Sequence, residues 1–364
     1  MSSTKPFPVT PLPEGPSPGI GDLQAMFDEL ESAPEIYRPT EFWQQFAELH
    51  LQQLNEDGFE LFKQTINRNY FQFELTNPLH SQARLMWSRW IKRPKVAPLR
   101  SSYSDGYELP LTDVKLGRRA RQWTYSKYVA LLSDRVRELD KELLLDELDE
   151  PLTGHPVCVD YRGRRTSEDL CNSVLEYSAV RDALPAETLK DATVIELGSG
   201  YGRLAWVYLK VEPSVRYILV DIPPALAVAE QYLAECFPDR KIFGFRHFEN
   251  AAEVSAELDQ AQIAFLTPNQ LDLLPELKAD LFINVSSLHE MVQAQIDHYF
   301  DVIADHTSGY FYSKQWIKST NAADDVVIER ERYPVRSEWK TVFDREHPIQ
   351  QAFFEALYDL NPNG

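Results

Sequence analysis

An open α/β sheet of parallel strands, preceded by an all-helical region, is the fold class this sequence predicts. Three observations carry it. Val194, Ile195 and Leu197 form a short apolar run that reads as a buried parallel strand. The run breaks into Gly198, Gly200 and Gly202 ahead of a helical pattern over Leu204 to Lys210, so the glycines sit at a strand-to-helix junction beside unpaired helix N–H groups. A second apolar run, YILV, then ends in Asp221, where a carboxylate would meet ribose hydroxyls. Strand, glycine turn, helix, strand and acid together point to a nucleoside-bearing ligand.

The bulk numbers set the frame. At 364 residues the chain is long enough for two domains, and 43% hydrophobic with 26% charged residues is ordinary for a globular protein. The start, MSSTKPFPVT, has no apolar signal core, and no apolar run reaches membrane-spanning length. Cys158, Cys171 and Cys236 are odd in number and lack metal-ligand spacing, so reduced thiols and a cytoplasmic location are expected, with no bound metal. A net charge of -19 argues against nucleic acid and against an anionic membrane, and leaves a small-molecule acceptor as the expected partner. A homodimer stays open.

In chain order, residues 1–21 are rich in proline, glycine and serine and read as a disordered tail. A helical substrate-lid domain is expected over 22–150. Leu23, Met26, Phe27 and Leu30 recur at helical spacing, and Thr40 is placed to cap a second helix with Phe42, Trp43, Phe46, Leu49 and Leu54. Phe59, Phe62, Ile66, Tyr70 and Phe73 mark a third. Arg84 to Arg121 is a basic island, either a solvated face or a rim that attracts an anionic acceptor. Trp123, Tyr125 and Tyr128 introduce a long helix that ends in acids before Pro151, and the ligand-binding domain is expected over 151–364. There, a helix from Ser167, a helix over Ala225 to Cys236, an extra strand within Lys241 to Phe248 and a helix over Ala251 to Gln260 are read. Gln262 to Pro275 is a strand ending in a polar turn. Gln295 to Ala304 is a helix and Gly309 to Lys314 a strand. Trp339 to Phe343 and Gln351 to Leu360 fit a terminal antiparallel pair, although the FFEALY run could equally be a short helix.

The dinucleotide fingerprint G-x-G-x-x-G is not met, because the third glycine comes one residue early and Arg203 stands in its place. Glu196-x-Gly198-x-Gly200-x-Gly202 instead resembles motif I of the class I S-adenosylmethionine (SAM) methyltransferases. That resemblance implies a Rossmann-like seven-stranded sheet, SAM as cofactor and S-adenosylhomocysteine as product. It also implies a loop around the methionine end, with Arg203 following it, and a ribose contact at Asp221 and the adjoining Ile222. A helix before motif I closes over the cofactor in many such enzymes, which makes Tyr161 and Glu176 candidates. The turn after the third core strand would flank adenine, with Thr267, Asn269 and Gln270 reading its edge; a plain turn is the alternative.

The stretch ADLFINVSSLHEM holds the expected chemistry. Leu281 to Val285 reads as a buried strand ending in Asn284, Ser286 and Ser287, followed by a helix from Leu288. If that strand lies beside the glycine-loop strand, His289 and Glu290 face the transferable methyl group. His289 is then the expected base, with Glu290 or a distant carboxylate supporting it. Ser287-x-x-Glu290 is also a capping box. Tyr125, Tyr312, Gln315 and Trp316 are the candidate substrate contacts, with pocket shaping as their other role.

The chain also resembles the sugar O-methyltransferase family, which carries Y-R-P-x-x-F-W as at Tyr37 to Trp43 and F-K-x-T-I-N as at Phe62 to Asn67. Its N-x-x-S-x-x-E-M is matched by Asn284, Ser287, Glu290 and Met291. This implies O-methylation of a small-molecule hydroxyl, on a sugar or a sugar-bearing natural product. The alternatives are O- or N-methylation of a polyketide or peptide intermediate, free or carrier-bound, an NAD(P) oxidoreductase, and a SAM-binding protein without catalysis.

Overall fold

The computed structural model describes residues 23–66, 118–321 and 323–362, with side chains left out for 118–124. The tail, the basic island up to residue 117, Tyr70, Phe73 and the side chains of Arg118, Arg119, Arg121 and Trp123 lie outside the described residues.

The centre is one eight-stranded sheet. In chain order its strands are β3 (Thr193–Leu197), β4 (Arg216–Val220), β5 (Ile242–Phe243), β6 (Ile263–Leu266), β7 (Ala279–Val285), β8 (Thr307–Trp316), β11 (Lys340–Glu346) and β12 (Phe353–Asp359). Across the sheet they run β11-β12-β8-β7-β3-β4-β6-β5. The pairs from β5 to β8 are parallel, whereas β12 runs antiparallel to both β8 and β11. The expected count of seven is therefore corrected to eight; the additional member is the short β5, read in advance within Lys241 to Phe248. FFEALY is strand, not helix, because it alternates between the two faces: Leu357 packs with one core cluster, Phe354 and Ala356 with the other.

The same period-two rule divides the central strands. Val194, Leu219 and Ile283 join α3 (Arg118–Arg137), α4 (Glu168–Arg181), α5 (Arg203–Val211) and α6 (Ala225–Cys236) on one face. Ile195, Ile218 and Phe282 meet α8 (Gln293–His306) on the other. Strands covered on both faces carry almost no polar residues, and this is why they read as plain apolar runs. Leu23 and Met26 of α1 (Leu23–Ser32) and Leu54 near the end of α2 (Glu41–Asp57), with Phe59, Phe62 and Ile66, belong to the first cluster. Lys63 pins that segment: its ammonium donates to Glu150 at 2.6 Å and lies 4.5 Å from the centre of the Tyr232 ring.

Three local expectations change. Leu288–Glu290 is a single 3-10 turn, not the start of a helix, and α8 begins three residues later. Ala251 to Gln260 is a 3-10 turn followed by a one-turn helix, α7 (Ser255–Leu258). Thr40 makes no side-chain cap; the first amides of α2 donate to Asp324 at 2.8 and 3.2 Å. Asp324 comes from the unanticipated hairpin of β9 (Lys318–Asn321) and β10 (Val326–Glu329). A second small hairpin pairs β1 (Val159–Tyr161) with β2 (Arg164–Thr166).

Candidate active site

Strand order reverses between β3 and β7, whose ends pair Leu197 with Asn284. Open parallel sheets bind ligands outside the carboxyl ends at such a point. A cavity enclosing about 1070 Å3, part of it open to solvent, lies there. Its sheet side is Glu196, Leu197, the loop Gly198 to Tyr201, Arg203, Asp221 and Ile222. The opposite side is a strap from Tyr37 to Thr40 with Trp43 on α2, and Ser286, Glu290, Met291, Gln295 and Tyr299 complete the ring.

The glycine loop has a physical reason at two positions. Gly198 has φ +72, and a Cβ there would collide with Ser287 Oγ. Gly200 has φ +57 and faces open space, so its backbone can lie against a ligand. Gly202 has φ +81 and sits beneath the loop, where a Cβ would press on Leu219 and Leu233 at 3.1 Å.

Asp221 accepts from Gly200 N at 2.6 Å and from Ile222 N at 2.7 Å, so the carboxylate shapes the loop it faces. Burial raises its pKa to about 7, and the two amides work against that rise. Glu196 accepts from the Tyr217 hydroxyl at 2.8 Å, and burial pushes it up to about 8. Arg203 reaches the cavity while spending its charge on Glu176, at 2.6 and 3.0 Å. Glu176 also accepts from Lys314 at 2.7 Å and is completely buried, so it braces the loop from behind and does not line the cavity.

Other candidates are scattered. The Tyr161 hydroxyl donates to Asp134 on the small hairpin's side, away from the cavity lining. Thr267 and Gln270 are buried and close a capping box on each other, while Gln270 Nε2 donates to Arg246 O; their neighbour Pro268 lines the cavity instead. Asn269 donates to Glu29 on α1. Asn284 is a buried clamp, donating to Leu197 O at 2.9 Å and to Ser287 Oγ at 2.7 Å. Ser286 does line the cavity, in the left-handed conformation at φ +59. Of the substrate candidates, Tyr125 bonds Val157 O and Tyr312 bonds Glu355, both in the core. Trp316 packs on Phe353 and His289. Gln315 is fully buried, and its Nε2 donates to Asn284 Oδ1 at 2.6 Å.

Gln315 decides the state of His289. With its amide nitrogen committed to Asn284, its oxygen accepts from His289 Nδ1–H at 3.1 Å, leaving Nε2 unprotonated. Burial lowers the His289 pKa to about 4, and the Gln315 bond only partly opposes that. The ring is 4% exposed and stands behind the cavity lining, whereas its neighbour Glu290 is in it. The expected capping box does not form: Ser287 Oγ is occupied by Asn284 and makes no cap bond. Glu290 is thereby released to face the cavity. Burial raises it to about 8, with an indole hydrogen bond from Trp43 opposing and the Asp221 charge adding.

Sequence reasoning missed the strap as a wall. Its signal was present in the Y-R-P-x-x-F-W stretch, of which Tyr37, Arg38, Pro39, Thr40 and Trp43 line the cavity. Tertiary bonds hold it: the Tyr37 hydroxyl to Asp272, and Gln295 Nε2 to Ile36 O and Arg38 O at 3.1 and 2.8 Å. Four residues that line the cavity carry a buried side-chain oxygen without a hydrogen-bond partner among the described residues: Thr40 Oγ1, Ser199 Oγ, Glu290 Oε2 and Gln295 Oε1. Such atoms cost roughly 1–3 kcal/mol each when left unpaired, and a polar ligand would relieve that cost. Among the described residues no cluster of histidine, cysteine and carboxylates could hold a metal, and no helix is long and apolar enough to cross a membrane.

The sequence matches no protein-family model and no curated protein. Solved structures of similar shape include magnesium protoporphyrin IX methyltransferase from Synechocystis with bound SAH, at 11% identity and a TM-score of 0.38, covering 53% of this chain and 84% of that one. TrmN from Thermus thermophilus has 14% identity and a TM-score of 0.34, covering 51% of this chain and 48% of that one. A SAM-dependent methyltransferase from Aquifex aeolicus has 12% identity and a TM-score of 0.30, covering 63% and 98%. Likeness at this level assigns no activity to the chain.

Proposed function

We propose that this protein is a SAM-dependent methyltransferase acting on a hydroxyl of a small molecule, a sugar or a sugar-bearing natural product. What supports the reading is one cavity in which the glycine loop, the Asp221 carboxylate and unpartnered buried polar atoms converge. Asp221 uses one lone pair of each oxygen on backbone amides, so each oxygen keeps a second for a ribose hydroxyl. Ser199 Oγ and the open face of Gly200 suit the polar methionine end.

SAM supplies an electrophilic methyl group on a positively charged sulfur. The lining offers a cation carboxylates at Asp221 and Glu290 and the rings of Tyr37, Trp43 and Tyr299, while the Arg203 guanidinium is turned onto Glu176. The strap covers the carboxyl ends of the strands, excluding water and holding the acceptor in line, which is where most of the gain in a displacement arises.

Isothermal titration calorimetry of S-adenosylhomocysteine and of NAD+ tests the reading directly. Micromolar binding of the first and none of the second is expected. Binding of NAD+ in its place would end the assignment.

A further inference from the structure

We propose that Glu290 is the catalytic base of this cavity and that Trp43, reaching it from the N-terminal strap, is its positioning residue. The inference rests on the methyl-transfer reading above and names the atoms that complete it.

The geometry divides the two neighbouring candidates. His289 is held from behind by Gln315 and has only Nε2 unprotonated, which stands 3.7 Å from Glu290 Oε1 and outside the cavity lining. Glu290 lies in the lining, and its Oε2 is buried with no partner among the described residues. Proton affinity decides the same way: burial raises the carboxyl to about 8 and lowers the imidazole to about 4, so a proton arriving on Glu290 stays there.

The step balances. The acceptor oxygen forms its bond to the methyl carbon as the carbon–sulfur bond breaks, with the electron pair left on sulfur. The Glu290 carboxyl, having lost its own proton to solvent opposite the bound sulfonium, takes up the hydroxyl proton. One positive and one negative charge are consumed together, leaving a thioether, a methyl ether and a neutral carboxyl.

Trp43 ties this base to the strap. Its indole bonds the Glu290 carboxyl, while α2, on which it stands, is capped by Asp324. Asn321 joins the two ends, donating from Nδ2 to Asp324 at 2.7 Å and to the Glu290 carbonyl at 3.2 Å. Seating the strap and orienting the base are therefore one event. The other groups facing the carboxyl are His289, Asp221 and Tyr333, with Arg38 and Tyr299 on the same cavity.

The test needs no knowledge of the acceptor. Sinefungin carries an ammonium where the donor carries its methyl group; S-adenosylhomocysteine carries nothing there. Both are titrated at pH 7 into wild type, Glu290→Gln and Trp43→Phe, in buffers of different ionisation enthalpy. Wild type is expected to prefer sinefungin about tenfold, the worth of one charge-assisted pair. It should also release close to one proton, since a carboxyl raised to about 8 is mostly protonated at pH 7 and ionises opposite the ammonium. Glu290→Gln should bind both compounds alike and release none. Trp43→Phe should move the pH midpoint of proton release up, because the indole bond that favours the charged form is gone. Should Glu290→Gln fail to fold, Glu290→Asp serves: proton release retained with a weakened preference supports the assignment, and both unchanged overturns it. Unaltered preference and release in a folded Glu290→Gln overturns it outright, and an unmoved midpoint in Trp43→Phe removes the positioning role. A wild type that binds neither compound instead sinks the methyl-transfer reading itself.

Discussion

On the sheet side of the cavity the charged groups are already engaged: Asp221 holds two amides, Glu196 a tyrosine hydroxyl, Arg203 a buried glutamate, and among the described residues Ser199 Oγ is left without a partner. On the side facing it, Thr40 of the strap, Gln295 on α8 and Glu290 after β7 each keep a buried polar atom without a partner among the described residues. The first wall has its charges paired without a ligand and is built from strands stabilised on both faces. The second is complete only when something polar lies against it, which under the proposed methyl transfer makes it the wall to select an acceptor. Its cohesion comes from single tertiary hydrogen bonds worth about 1 kcal/mol apiece, which makes it the easier of the two to move.

Gly198→Ala should break the comparison most severely. It forces an alanine to positive φ and drives its Cβ into Ser287. A loss of about 3 kcal/mol is expected, read as a lowered melting temperature with cofactor binding abolished. Next, Asp221→Ala removes the carboxylate from both amides. S-adenosylhomocysteine affinity should fall about a hundredfold by calorimetry, the scale of one or two charged hydrogen bonds. Acceptor-side variants should leave that affinity intact.

The pH dependence of stability sharpens the contrast. Glu290 is raised to about 8 when folded, against an ordinary value near 4, so the folded state holds its proton more tightly than the unfolded chain. Stability from this source is fully present below about pH 4 and is lost as pH rises towards 8. Glu290→Gln should therefore lose less melting temperature between pH 5 and pH 8 than wild type does, and an equal slope would contradict the assignment. The smallest effect is expected for Asp324→Ala, which uncaps α2. About 1 kcal/mol of stability should go, with acceptor KM rising and cofactor affinity unchanged.

Legibility in the sequence followed distance along the chain. The glycine turn, its strand and Asp221 lie within 194–221 and are governed by backbone conformation and short-range periodicity, so they could be read directly. β7 beside β3 followed from the topology of parallel sheets. His289 was singled out by residue type, while the fold buries its ring behind the cavity lining, a burial that keeps it neutral, and ties Nδ1 to Gln315, 26 residues on. Thr40 was misjudged because the cap of α2 comes from Asp324, a contact spanning 283 residues. Glu176 was placed on the ligand because nothing local signals that Arg203 and Lys314 claim it.

By itself the sequence determined the strand–glycine–helix unit, the alternation that layers the sheet and the acid that closes the second strand, since each depends on neighbours in the chain. Only the tertiary structure decided which polar groups are spent on one another and which remain to meet a ligand. Desolvation and hydrogen-bond partnership are set by whatever distant segment folds against a group, and Glu290 is available where His289 is not because α2 and β8 arrive on different sides of one short turn.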